Sequence, residues 1–201
     1  MTILPSTALN YAIRGGVVAA ALIGGCILLK KHPFVRISWK SLLFGILGGI
    51  LVTVIWILPE SREWYKTWLC WPPGVKMSPI ETPSPYDPLV CGWTLTIIKL
   101  IASSFIIAPV EEIFFRSFLY RWLQKKDFES VPLSKFNLTA FVWMVTLFAI
   151  EHDRFFVAAI AGAVYGLLAI RFSLSSAIIG HVTTNLLLAL YVIHEQMWSF
   201  W

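Results

Sequence analysis

Two adjacent glutamates, Glu111 and Glu112, lie within an apolar stretch of this 201-residue chain. Residues 104–116 read Ser-Phe-Ile-Ile-Ala-Pro-Val-Glu-Glu-Ile-Phe-Phe-Arg. Ionised carboxylates are costly in a hydrocarbon environment, so an acidic pair there indicates a functional site. Arg116 follows Glu112 by four positions and therefore lies on the same helical face, where it supplies a counter-charge. Glu111 projects about 100° away around the helix and has no such local partner.

Further polar residues occur in the apolar segments downstream. Phe148 and His152 are four positions apart, and so are His181 and Asn185. Each of these two pairs projects from one face of a helix. Taken alone, they are typical of polar helix ends and of hydrogen bonds between membrane helices. Together with the acidic pair, they can satisfy one another around a single wet cavity.

These residue types supply complementary parts of a hydrolytic reaction. A carboxylate acts as a base, an imidazole shares or donates a proton, and an amide stabilises a developing oxyanion. Ser103 and Ser104 precede the acidic pair but have no evident base beside them. We therefore expect water to be the nucleophile.

The composition indicates a membrane protein. Hydrophobic residues make up 58% of the chain, charged residues make up 13%, and the mean hydropathy is +0.74. Soluble domains carry about 25% charged residues. The net charge of +5 requires no nucleic-acid partner, because the basic residues flank apolar segments, where they face anionic lipid headgroups.

Continuous apolar runs of about 20 residues predict membrane-spanning helices. We expect an all-α, multi-pass helix bundle that forms a single membrane domain over 1–201. The predicted spans are 11–29, 41–58, 93–123, 137–151, 155–172 and 174–193. Pro109 is expected to bend or break the third.

Basic residues predict the orientation of the bundle. Lys and Arg are concentrated in the loops after the first and third spans, which places these loops in the cytoplasm and both termini outside. The loop over 59–92, between the second and third spans, is rich in Trp and Pro and is expected to be interfacial. It contains Cys70 and Cys91, and whether they form a disulfide is left open.

At these residues the chain resembles the CAAX-protease and bacteriocin-processing family of glutamic intramembrane endopeptidases. The family pattern EExxxR, FxxxH and HxxxN is present in that order, as Glu111-Glu112-x-x-x-Arg116, Phe148-x-x-x-His152 and His181-x-x-x-Asn185. The resemblance covers roughly 93–193, which would be the catalytic core.

The resemblance implies a role for each residue of the motifs. Glu111 would activate water with the assistance of His152. His181 and Asn185 would stabilise the oxyanion of the tetrahedral intermediate. A supporting ion pair, which positions the helix, would form between Glu112 and Arg116. No cofactor or metal ion is implied.

A narrower resemblance is to bacterial CAAX prenyl protease-related proteins that accompany exosortase sorting systems. The similar stretches are Arg121-Trp-Leu, Asp127-Phe-Glu-Ser-Val-Pro-Leu, Glu151-His152 and Trp198-Ser-Phe-Trp201. This resemblance implies a multi-pass protein of the bacterial inner membrane. It also implies a membrane-anchored protein or peptide as substrate and exosortase-system components as partners.

Two other interpretations remain open on the sequence alone. Glu111, His152 and His181 form a chemically suitable zinc set, although no two of them have a compact metal-binding spacing. A non-enzymatic scaffold or immunity protein could keep the same polar core for packing.

The depth of the two histidines poses a difficulty. His152 falls near the end of its predicted span, whereas His181 lies only seven residues inside the last one. Cooperation between them requires either shifted span boundaries or a tilted or re-entrant segment, and the face on which the cavity opens is left open.

Overall fold

The computed structural model describes residues 10–18, 20, 37–61 and 84–201, and these residues form helices without any strand. A helical segment covers 10–18. The longer helices are α1 (Trp39–Ile57), α2 (Trp93–Trp122), α3 (Leu138–Ile150), α4 (Phe155–Arg171) and α5 (Leu174–Glu195). Their ends lie within two residues of the predicted spans, which confirms the all-α bundle. Most of the first predicted span and most of the 59–92 loop, with Cys70, lie outside the described residues; Cys91 is a free thiol.

Three of these helices, α1, α2 and α5, are long and apolar enough to cross a membrane, whereas α3 and α4 are shorter apolar helices. Large apolar side chains on α1 stay exposed on the outside of the bundle; they include Leu42, Leu47, Leu51 and Val54. Such a surface is suited to lipid, because hydrocarbon chains surround it without the cost that water would impose. The chain is an integral membrane protein.

Helix α2 carries the acidic pair and is continuous through Pro109. It contains two π-helical segments, Ser103–Ile107 and Ile113–Leu119, which flank a short α-helical piece, Ala108–Glu112. The break expected at Pro109 is absent, because the wider π turn before the proline accommodates its ring and its missing N–H. π-Helical segments are rare and occur frequently at functional sites.

Glycines let α1 and α5 approach closely. A Cβ atom on Gly49 would lie 2.5 Å from the Gly180 carbonyl oxygen, and one on Gly45 would lie 2.8 Å from Ile179 Cβ. Thr184 Oγ1 of α5 lies 3.0 Å from the Gly49 carbonyl oxygen and donates to it. Small residues of this kind allow membrane helices to pack backbone against backbone. This contact fixes α5, the helix that carries His181 and Asn185.

After α5 the chain reverses through Gln196, whose φ of 55° is left-handed. A short helical turn, Trp198–Phe200, then packs Phe200 against Leu188 and Val192. Residues 198–201 therefore pack against the C-terminal half of α5.

Candidate active site

A buried chain of charged and polar contacts links α2 to α5. Glu112 and Arg116 are 0% and 1% exposed, and Arg116 Nε lies 3.1 Å from Glu112 Oε2. The other carboxylate oxygen, Glu112 Oε1, lies 2.8 Å from His181 Nδ1. Glu112 therefore bridges its own helix and the histidine of α5. The ion pair expected from the i, i+4 spacing is present, and the contact to His181 adds a second function to the same carboxylate.

The Arg116 guanidinium is held on several sides. Its Nη2 donates to the Gly162 carbonyl oxygen at 3.2 Å, and its Cζ lies 4.4 Å from the centre of the Phe148 ring. Arginine retains its charge in such an environment, and ring faces attract cations. These contacts keep a permanent positive charge next to Glu112 and connect α2 to α3 and α4.

The His181 ring is fixed in both position and tautomer. It stacks on Tyr165 with centroids 4.7 Å apart and planes 18° apart, and the Tyr165 hydroxyl donates to Thr184 Oγ1 at 2.7 Å. An ionised carboxylate only accepts hydrogen bonds, so Nδ1 carries the proton in the contact with Glu112. Nε2 is then directed toward Glu111, whose Oε2 lies 3.8 Å away.

The two glutamates differ in exposure. The Glu111 side chain is 25% exposed, whereas that of Glu112 is fully buried. The distance of 3.8 Å between Glu111 Oε2 and His181 Nε2 is longer than a hydrogen bond. Glu111 is thus the accessible carboxylate, and its oxygen is not occupied by a direct bond to the histidine.

His152 follows the end of α3 and folds back on it. Its Nδ1 lies 2.8 Å from the Phe148 carbonyl oxygen, which is an acceptor, so Nδ1 is the donor. The lone pair of Nε2 is therefore left for another partner. The ring lies 4.5 Å from that of Phe148, which in turn lies 5.9 Å from that of His181.

Asn185 approaches the π-helical segment of α2. Its Nδ2 donates to the Ser103 carbonyl oxygen at 3.0 Å. An amide nitrogen carries two hydrogens, so one N–H of Asn185 is left for a ligand. This contact also orients the side chain, because the two ends of the amide are no longer equivalent.

A cavity of about 300 Å³ lies between the helices and brings these groups together. Glu111, His152, His181 and Asn185 all line it. Its wall is completed by aromatic and further polar side chains, among them Tyr11, Trp56, Lys99, Glu151, Tyr165, Phe200 and Trp201. The four residues singled out as candidate catalytic groups therefore share one space inside an apolar bundle.

The short length of α3 explains how the two histidines meet. A helix of 13 residues is only ~20 Å long, less than the ~30 Å hydrocarbon core. Its C-terminal end can therefore lie inside the bundle, where His152 lines the cavity. The ends of α3 agree with the predicted span to within one residue, so shifted span boundaries do not account for the meeting of the two histidines.

Several cavity residues carry no motif in the sequence. Tyr165 stacks on His181, the Ser103 carbonyl oxygen holds Asn185, and Lys99 lines the cavity from α2. Tyr165 lies inside an apolar segment, where an aromatic residue usually contributes only to packing, so its sequence context gives no functional signal. Lys99 was a signal that could have been used, because a lysine inside a predicted span is itself costly.

Within residues 10–18, 37–61 and 84–201, no cluster of three His, Cys, Asp or Glu side chains is arranged to hold a metal ion. The imidazole Nδ1 atoms of His152 and His181 both engage protein oxygens.

Residues 93–187 match a family model described as type II CAAX prenyl endopeptidase Rce1-like. The matched range includes all three motifs, from Glu111 to Asn185. This match supports the resemblance to the CAAX-protease and bacteriocin-processing family and, in general terms, a CAAX-type intramembrane protease. Neither a curated protein nor a solved structure matches the chain.

Proposed function

We propose that this protein is a glutamic intramembrane endopeptidase that hydrolyses a peptide bond of a membrane-anchored protein. The observation that carries the proposal is the cavity in which Glu111, His152, His181 and Asn185 converge among apolar helices. The family match over 93–187 supports the same reaction class.

Glu111 is the general base. It is the accessible member of the acidic pair, at 25% exposure, and its Oε2 is free of a direct hydrogen bond to His181. As a water oxygen attacks the scissile carbonyl carbon, Glu111 accepts one proton of that water. The free Nε2 of His152 accepts a hydrogen bond from the remaining O–H and so orients the nucleophile.

Attack moves the carbonyl π electrons onto oxygen and gives a tetrahedral oxyanion. The second N–H of Asn185 donates to this oxygen. His181 enters the reaction as the imidazolium, so it donates from Nε2 while its Nδ1–H stays bonded to Glu112, and it keeps both protons throughout. Donors held in place before the reaction are effective because they need not reorganise as charge develops.

The intermediate then collapses. The carbon–nitrogen bond breaks as the carbonyl re-forms, and the leaving nitrogen takes the proton that Glu111 accepted from water. The products are a new carboxyl terminus and a new amine, and Glu111 returns to its starting state.

Glu112 and Arg116 act through position. Glu112 Oε1 fixes the orientation of His181, and Arg116 neutralises the buried carboxylate of Glu112. The two adjacent glutamates therefore have different roles: Glu111 is the base, whereas Glu112 orients His181.

The substrate class follows from the location and from the narrower resemblance. A cavity enclosed by apolar helices receives a segment that is itself held in the bilayer. The stretches shared with exosortase-associated proteins support a sorted, membrane-anchored protein in the bacterial inner membrane as the substrate and exosortase-system components as partners.

The decisive experiment compares wild type with Glu111→Gln in cells or vesicles containing candidate membrane-anchored proteins. Glu111→Gln retains the shape of the side chain and removes the base. We expect new termini, detected by mass spectrometry, with wild type and none with the variant. Glu195→Gln, an exposed change on α5, is the matched control and should cleave as wild type does. Identical products with wild type and Glu111→Gln would contradict catalysis through Glu111 and would favour a non-enzymatic role.

A further inference from the structure

A second charged group, Lys99, lines the same cavity as Glu111. Its Nζ lies 3.9 Å from the centre of the Tyr11 ring and 4.5 Å from that of Tyr86. The two rings are themselves in edge contact, with centroids 5.7 Å apart. The Lys99 ammonium group thus lies at the cavity and contacts the rings of both Tyr11 and Tyr86.

Among the residues that the structure describes, no carboxylate oxygen lies within ion-pair distance of the Lys99 ammonium group. Asp153 attracts this ammonium group from a greater distance. Charged side chains inside an apolar bundle pair with one another or mark the path of a ligand. Tyrosine faces attract a cation, but they leave its N–H donors available to an anion.

The geometry of α2 relates Lys99 to the catalytic carboxylate. The two residues are twelve positions apart on one helix, which corresponds to a rise of ~18 Å. In a regular α-helix they would project about 120° apart. The segment Ser103–Ile107 between them is π-helical and turns by less per residue, which brings the two side chains toward a common face. Both accordingly reach one cavity.

The cavity therefore has a cationic position at Lys99 and acidic positions at Glu111 and Glu151. An extended peptide covers ~18 Å with about five residues, and the two side chains shorten the gap. A carboxylate bound at Lys99 would hold a peptide bond a few residues away at Glu111.

We propose that Lys99 is the recognition subsite for a carboxylate of the substrate, located within about five residues of the scissile bond. The carboxylate comes either from the C-terminus of the substrate or from an Asp or Glu side chain. This inference rests on the proposed function, because a substrate subsite presupposes that the protein cleaves peptides. Binding of a carboxylate at Lys99 can nevertheless be measured without cleavage. Lys99 is a specificity residue and takes no part in proton transfer.

Binding of three synthetic probes tests the subsite. The probes are a fluorescent Ala/Leu-rich peptide with a free C-terminal carboxylate, its C-terminal amide, and the amide with one Glu four residues from the end. Each is titrated in detergent micelles against purified Glu111→Gln, which prevents cleavage, and against Glu111→Gln with Lys99→Met. Lys99→Met retains side-chain length without charge, Lys99→Arg restores the charge, and Lys126→Met makes the same change at an exposed loop lysine as a control.

We expect at least one carboxylate probe to bind about tenfold more tightly than the amide, and Lys99→Met to remove that difference. Lys99→Arg should restore most of it, and Lys126→Met should preserve it. Tighter binding of the free acid identifies the C-terminus as the source, whereas tighter binding of the Glu probe identifies a side chain. Equal binding of all three probes, or a preference that survives Lys99→Met, overturns the subsite.

Turnover separates this inference from the proposed function. If cleavage requires Glu111 but Lys99→Met does not raise the KM of an acidic substrate, the peptidase function is supported and the subsite is contradicted. If no substrate is cleaved but carboxylate binding depends on Lys99, the subsite is supported and the peptidase function is contradicted.

Discussion

Glu112 Oε1 and His181 Nδ1 lie 2.8 Å apart, although the two residues are 69 positions apart in sequence. The contact joins α2 to α5 at the centre of the bundle and also determines which nitrogen of His181 faces the cavity. The same carboxylate is paired with Arg116 through its other oxygen. One buried side chain thus couples the packing of two helices to the chemistry of the site.

The first prediction concerns that coupling. Arg116→Met should destabilise the protein by about 3–5 kcal/mol, because it leaves the Glu112 carboxylate buried without its cation. Unfolding in detergent, followed by circular dichroism, measures the loss. In the double variant Arg116→Met with Glu112→Gln, both charges are removed, so part of the stability should return. The pairing would be contradicted if the double variant lost more free energy of unfolding than the two single variants lose together.

The second prediction separates binding from chemistry at Asn185. Asn185→Asp keeps the shape but replaces the N–H donors with a negative charge, which would repel the oxyanion. We expect kcat to fall by about 10²–10³, the effect of removing one oxyanion-hole donor. The KM should change far less, because the ground-state carbonyl bears little charge. Steady-state kinetics gives both constants, and a change confined to KM would assign Asn185 to substrate binding alone.

The third prediction concerns zinc, since Glu111, His152 and His181 are also conceivable ligands. Activity should survive dialysis against a zinc chelator, because the proposed base acts on water directly. Elemental analysis of the active protein provides the second measurement. Stoichiometric zinc, whose removal abolishes cleavage and whose return restores it, would establish the metalloprotease alternative.

The fourth prediction concerns the packing of α1 against α5. A Cβ atom at Gly49 would lie 2.5 Å from the Gly180 carbonyl oxygen, so Gly49→Ala must push the helices apart. The cost should be about 1–3 kcal/mol, as for other overpacked sites, and activity should fall because α5 carries His181 and Asn185. Gly16→Ala is a matched control, since no described residue lies within 4 Å of its added methyl group. Equal effects of the two substitutions in a thermal unfolding assay would mean that the close approach is not essential.

The sequence predicted the elements well because membrane helices are marked by long apolar runs. The ends of α1 to α5 agree with the predicted spans to within two residues. The site residues could be selected because polar side chains are rare inside apolar segments. The acidic pair stood out first, and His152, His181 and Asn185 became candidates when they were considered together with it. Their convergence on one cavity is a property of the fold, and spacing alone could only suggest it.

Three features were beyond the reach of local patterns. The contact between Glu112 and His181 depends on how α2 and α5 pack. The continuity of α2 through Pro109 depends on a π turn, which has no clear sequence signal. The location of Lys99 in the cavity depends on that same turn, because a regular helix would direct it elsewhere.

The π-helical segment Ser103–Ile107 has a consequence for how this protein tolerates changes in length. A π segment corresponds to one more residue than a regular α-helical turn requires. Loss of one residue there would restore ordinary helical geometry, and α2 would still be apolar and long enough to insert in a membrane. Lys99 and Glu111 would then be eleven positions apart in a regular helix, which separates them by only about 20° around its axis. We therefore expect deletion of one residue in this segment to keep Lys99 and the acidic pair on a common face, whereas deletion of two residues should rotate the acidic pair away from Lys99 by about a further 100° and remove the alignment.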